Sequence, residues 1–253
     1  MKTRLGALAA VLLFLAPAGA EPLRSPDVYL VLSSGSGSVA MRWKRCTKPD
    51  IAPEDRMVAC RQLIKDNATN VIFAYIALGD LYMDADDTAS AIQLYTDGVH
   101  HYGGRIPLML RAEVYAETGD YDDAMADVQA MFGQRGTEIE VLHHRCWIRA
   151  LAGKELEAGL ADCDAVLKDQ PDNAGALDSR GLVLLKLGRT DDALASYSAA
   201  IKFSPTLASA WYMRGLIERQ TGDTASGDAD IAQAVALFPH IAEIYAHGGE
   251  KPK

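Results

Sequence analysis

Three pairs of adjacent aspartates, Asp86-Asp87, Asp122-Asp123 and Asp191-Asp192, are the first candidates for chemistry in this chain. Two neighbouring carboxylates can divide general acid and general base work between them. Each pair, however, stands just ahead of an apolar periodic stretch, where acids favour the positive end of a helix. That gives them a structural task. A second candidate is Gly35-Ser36-Gly37-Ser38-Val39-Ala40, which follows Tyr29-Leu30-Val31-Leu32 and imitates a strand entering a dinucleotide-binding loop. Such a loop works only ahead of a helix and a second strand; here Pro49 and Pro53 interrupt the chain and helical period follows. His143, His144, Cys146 and Cys163 carry donor atoms that suit a metal. Adjacent helical positions point about 100° apart, which spoils the two histidines as a joint pair. No nucleophile elbow, phosphate loop or zinc-protease motif occurs. No catalytic residue, cofactor or metal site is therefore assigned, and no enzymatic activity is expected.

The elements around these residues come from composition and repetition. The chain has 253 residues, 49% of them apolar and 23% charged, which suits one or two ordinary domains. Residues 1–20 read as a cleavable export signal: Lys2 and Arg4, an apolar run from Leu5 to Ala16, then small residues at Ala18-Gly19-Ala20. The run is short of the ~20 residues a membrane span needs, so no membrane insertion is expected after cleavage. Losing Lys2 and Arg4 takes the net charge from −9 to −11. That acidity argues against nucleic acid, whose phosphates need a basic face.

Residues 174–207 and 208–241 are two copies of one 34-residue pattern. They match at Leu177/Trp211, Arg180/Arg214, Gly181/Gly215, Gly188/Gly222, Ala193/Gly227, Ala200/Ala234 and Pro205/Pro239. A fixed period of this length marks a repeat architecture whose units bury their core by stacking. Glycine-marked turns set further hairpins at Ile72–Met83 with Thr88–Val99, Pro107–Thr118 with Asp122–Met131, and Glu138–Leu151 with Glu155–Lys168. The last of these has one extra turn residue. Ser33–Ser38 and the flanking prolines read as a flexible linker, and Ala52-Pro53-Glu54-Asp55 as a helix start.

The repeat register also pairs the four cysteines. Cys146 takes the place of Gly181 and Cys163 that of Tyr197, on facing sides of one hairpin. VACRQLIKDNATN aligns with ADCDAVLKDQPDN so that Cys60 falls on Cys163. Disulfides Cys46–Cys60 and Cys146–Cys163 follow, each closing a loop of ~15 residues worth roughly 3 kcal/mol. Free buried thiols and the metal site remain the competing readings.

These residues resemble the tetratricopeptide repeat. Tyr75, Leu78, Gly79, Tyr82, Ala91, Tyr95, Gly98 and Gly103 fit its pattern in one unit, and Ala112, Tyr115, Gly119 and Ala124 in the next. The unit with Leu142, Cys146, Gly159, Cys163 and Pro171 diverges most. The resemblance implies an all-α fold, a right-handed superhelical solenoid of stacked helix–turn–helix hairpins. Its units are 72–104, 105–138, 139–173, 174–207 and 208–241, inside an array of 72–241. Ahead of it come the signal (1–20), a linker and N-terminal segment (21–52) and a degenerate capping helix (53–71). A capping segment and tail (242–253) follow, with a short helix over His240–His247.

The resemblance further implies a concave groove lined by each first helix. In this chain His143, His144, Trp147, Asp178, Leu182, Tyr212, Met213 and Leu216 take groove places, with Ile76, Asp80, Met83, Met109 and Glu113 on earlier units. Trp211, beside Tyr212, takes a place that packs within the hairpin. An apolar, aromatic groove suits a protein or peptide segment, either an amphipathic helix or an extended apolar strand. The expected function is a non-enzymatic interaction module, periplasmic or secreted. The alternative is a permanent subunit of a cell-envelope assembly or wall-turnover complex.

Overall fold

The computed structural model describes residues 37–68, 70–133, 138–242 and 245. The expected export signal, the linker before residue 37 and the tail beyond 245 lie outside the described residues. So does half of the predicted helix over His240–His247, residues 243, 244, 246 and 247. The chain divides into two units, Met1–Tyr115 and Ala116–Lys253.

In the first unit, α1 (Gly37–Thr47) and α2 (Pro53–Lys65) form a hairpin that packs on α3 (Ile72–Asp84), which pairs with α4 (Thr88–Tyr102). α5 (Arg105–Thr118) begins here and ends in the second unit. The helix α1 lies in the stretch expected as linker and N-terminal segment (21–52), and α2, in the stretch expected as a capping helix (53–71), pairs with it. Ser and Gly at the helix start hid it, while Trp43 and Cys46 supply its buried face. They join Ala59, Cys60, Leu63, Ala74, Leu78 and Leu81 in one core. Burying a side chain such as Leu63 is worth about 2 kcal/mol. Gly37–Ala40 of the dinucleotide-like stretch lie within α1 itself, and α2 and α3 follow where such a site would need a second strand.

The second unit holds α6 (Tyr121–Met131), α7 (Glu138–Ala152), α8 (Leu156–Asp169), α9 (Ala174–Lys186), α10 (Thr190–Phe203), α11 (Ala208–Thr221) and α12 (Thr224–Leu237). α7–α8, α9–α10 and α11–α12 are hairpins; α9 also packs on α7 and α8, and α11 on α10. Among the described residues every regular element is helical, as the expected all-α class requires.

The acid pairs belong to helix starts. Asp87 accepts a hydrogen bond from the Ser90 backbone N–H at 3.2 Å and caps α4. Asp122-Asp123 and Asp191-Asp192 occupy the first turns of α6 and α10, where they favour the partial positive charge of the exposed N–H groups. The extra residue of the α7–α8 turn is absorbed by Glu155, held left-handed at φ 49°.

At the centre of each hairpin, one first-helix residue meets one second-helix residue. A Cβ on Gly79 would lie 1.8 Å from the Tyr95 hydroxyl, and one on Gly181 2.8 Å from the Tyr197 ring. Each ring therefore lies directly on a glycine. In α1–α2 and α7–α8 the bonds Cys46–Cys60 and Cys146–Cys163 stand in that role, with Cα atoms 4.9 and 5.5 Å apart. The expected cysteine pairing is the one present.

A second cross-hairpin link recurs beside the first. Arg145, Arg180 and Arg214 hold one register place in α7, α9 and α11 and reach the following helix. Arg214 donates through Nε and Nη2 to the buried Asp230 carboxylate at 2.6 and 3.0 Å. Arg145 and Arg149 both pair with the buried Asp162. Arg180 donates to Ser196 Oγ at 2.8 Å and to the exposed Asp164 at 2.7 Å. The carboxylate hydrogen bonds hold the Arg145 and Arg214 guanidinium groups even more firmly protonated than usual. Two charges taken out of water need such bidentate geometry to offset their desolvation.

Candidate functional site

The eight expected groove residues lie on the first helices of the second unit: His143, His144 and Trp147 on α7, Asp178 and Leu182 on α9, Tyr212, Met213 and Leu216 on α11. The structure divides them into two sets. His143, His144, Leu182 and Met213 are buried and expose little surface. Trp147, Asp178, Tyr212 and Leu216 are half-buried.

The reason lies in how consecutive first helices meet. α9 begins Ala174-Gly175, and a Cβ on Gly175 would come 2.9 Å from His143 Cε1. The missing side chain lets α9 close over the imidazole. The His143 and His144 rings stack with centroids 6.2 Å apart. Leu182 and Met213 enter the core with Cys146, Leu177, Tyr197 and Ile217. In the first unit Ile76, Met83, Met109 and Glu113 are buried likewise. Asp178 accepts from Ser209 Oγ at 3.0 Å, which ties α9 to α11. Trp211 is half-buried, as Tyr212 is; its indole N–H donates to the Pro205 carbonyl at 2.9 Å and Arg214 lies over its ring.

The buried histidines titrate abnormally. Burial pushes His143 down to about 4, partly opposed by a hydrogen bond with the Gly175 backbone, and burial with the neighbouring His143 pushes His144 down to about 3. In the unfolded chain both titrate near 6.5. Above that pH both states are neutral and nothing is lost. Below it the unfolded chain takes up protons that the folded chain refuses, so stability falls from about pH 6.5 down to the folded values. By pH 5 the cost is roughly 2 kcal/mol per ring. Thermal melts at pH 7 and pH 5 should show a clear drop, smaller in His144→Leu; equal melting points would contradict the buried, neutral pair.

Among the described residues no three His, Cys, Asp or Glu side chains converge as metal ligands. Both sulfurs of the competing metal reading, Cys146 and Cys163, are spent in one disulfide. The half-buried set comprises two aromatic side chains, one aliphatic side chain and one carboxylate.

The repeat itself is decided by comparison with known proteins. A family model described as a tetratricopeptide repeat matches residues 76–134, and one described as a TPR repeat matches 181–222. The chain contains tetratricopeptide repeats. A solved tetratricopeptide repeat protein from Parabacteroides merdae is 17% identical, with a TM-score of 0.59 over 88% of this chain and 84% of that one. The likeness is one of fold. MamA from Desulfovibrio magneticus RS-1 is 14% identical, covering 67% of this chain and 96% of that one, with a TM-score of 0.47. YrrB, a TPR protein described as having an unusual peptide-binding site, is 15% identical over 74% of this chain and 96% of that one, at 0.42. No curated protein sequence matches the chain. Tetratricopeptide-repeat proteins act as protein–protein interaction modules and are generally non-enzymatic.

Sequence reasoning missed two residues near the site, Ile241 and Tyr245. The signal was available: they lie 34 positions after Leu207 and Trp211 and so continue the repeat register. Tyr245 stacks on Tyr212 with ring centroids 5.2 Å apart.

Proposed function

We propose that this chain is an exported, non-enzymatic interaction module. It holds a helical or extended apolar segment of a partner protein against the first-helix face of its second unit. The observation that carries the reading is the set of large side chains left half-buried there, Trp147 on α7 and Tyr212 and Leu216 on α11, with Asp178 between them. Large aromatics dominate interface energetics because they desolvate much area at low entropic cost. His143, His144, Leu182 and Met213 support that face from beneath. Two disulfides, the signal-like residues 1–20 and the lack of a membrane-crossing helix among the described residues favour a periplasmic or secreted location. The acidity of the chain favours a protein over nucleic acid.

The test is capture from an envelope extract by the purified full chain. Trp147→Ala should leave the circular dichroism spectrum unchanged and weaken capture by about 1 kcal/mol or more, roughly fivefold. Unchanged capture would overturn the reading. A stoichiometric partner that never exchanges would instead mark a permanent subunit of a cell-envelope or wall-turnover assembly.

A further inference from the structure

Helix α1 is the basic element of an acidic chain. Residues 37–66, which hold α1 and α2, carry seven Lys and Arg against four Asp and Glu, a net of +3. Residues 67–253 carry fifteen against 28, a net of −13. Residues 28–49 contain no Asp or Glu at all. The helix sorts its side chains by side. Trp43 and Cys46 are buried against α2 and α3, so Met41, Lys44 and Arg45, about one turn apart, share the side turned away from that core. All three are exposed, Met41 by 62%. Arg42 pairs with Asp66 and Lys48 with Asp50; Lys44 and Arg45 lie between them. We propose that this stripe docks the exported protein peripherally on an anionic phospholipid surface, with Lys44 and Arg45 at the phosphates and Met41 between the headgroups.

The negative charge of the whole chain does not prevent such docking. At physiological ionic strength charges are screened beyond about 8 Å, and a helix with its side chains is about 10–12 Å across. The cations on the outer side of α1 therefore meet the surface, while carboxylates behind the helix are screened from it. Each cation held at an anionic surface strengthens binding about fivefold. Met41 decides between lipid and other polyanions. A long, unbranched apolar side chain exposed among cations gains by entering the apolar edge of a bilayer, and an acidic polypeptide offers it no such edge. This is docking and not insertion: α1 has 11 residues and keeps Trp43 in the protein core.

The test is flotation of the exported chain with vesicles of phosphatidylcholine, alone or with phosphatidylglycerol as about a third of the lipid. Anionic vesicles should retain the chain at least tenfold better than neutral ones, and added salt should release it. Lys44→Glu with Arg45→Glu should lose about tenfold or more of that retention. Lys154→Glu with Lys202→Glu changes the net charge equally at exposed positions of the second unit and should lose less than about twofold. Met41→Ser should weaken retention at least twofold. These side chains are exposed, so the circular dichroism spectrum and melting point should stay unchanged. Equal retention by neutral and anionic vesicles, equal losses in the two charge-reversed pairs, or full retention of Met41→Ser would overturn the docking. So would retention on immobilised polyglutamate without retention on vesicles, which would assign the stripe to an acidic protein. Trp147→Ala, in the second unit, should float as the unsubstituted chain does, so this docking and the proposed partner face can fail independently.

Discussion

Gly227→Val is expected to melt the last hairpin well below the rest of the chain. A Cβ at residue 227 would lie 2.6 Å from the Gly215 carbonyl oxygen and 2.9 Å from the Arg219 backbone nitrogen. A Cβ at residue 215 would in turn lie 2.7 Å from the Gly227 carbonyl oxygen. These neighbours are backbone and cannot rotate aside, so α11 and α12 must separate. Separation also pulls Arg214 from Asp230, leaving a buried carboxylate without its partner, a costly state. Together with overpacking, about 3 kcal/mol or more should be lost. Ala193, at the corresponding place of α10, marks the contrast. Its hairpin is spaced by the Tyr197 ring on Gly181, so a methyl group fits. A melting point within a degree or two of the unsubstituted chain would show that the helices are not in this contact.

Reduction should have the second large effect. The bridges span 14 and 17 residues, and closing loops of that size removes roughly 3 kcal/mol of denatured-state entropy each. The melting point should fall by about 10–20 °C under reducing conditions. The register suggests a sharper version. Cys146 and Cys163 stand where Gly181 and Tyr197 pack in the next hairpin, so the double substitution Cys146→Gly with Cys163→Tyr should restore a ring-on-glycine contact. The α7–α8 hairpin would then resist reductant. Identical melting with and without reductant would refute the stabilising role of both bridges.

The hairpins were legible because their turns are written in glycine and their centres in small–large pairs spaced alike. The cysteine pairing was legible for the same reason: a register that places Tyr197 opposite Gly181 places Cys163 opposite Cys146. Helix α1 was not. Its first residues are Gly37 and Ser38, poor helix formers, and what holds it is burial of Trp43 and Cys46 against α2 and α3. That is tertiary and leaves no local trace.

The proposed partner face was legible only as a set of places. Helical period says that His143, His144 and Trp147 sit on neighbouring stripes of α7. It does not say that Gly175 lets α9 close over His143 while Trp147 stays half-open. Nor could period alone show that Tyr245, one repeat after Trp211, would turn to Tyr212. In both cases the deciding term is the next helix.

The central claim is that a partner lies on the first-helix face of α7, α9 and α11. Photoreactive benzoylphenylalanine placed singly at Trp147, Leu216, Glu157 and Gln233 of the full chain tests it most directly. Glu157 and Gln233 are exposed on the second helices α8 and α12. Crosslinks to one partner from Trp147 and Leu216, with none from Glu157 or Gln233, are the predicted result. Crosslinks from Glu157 and Gln233 alone would contradict the account.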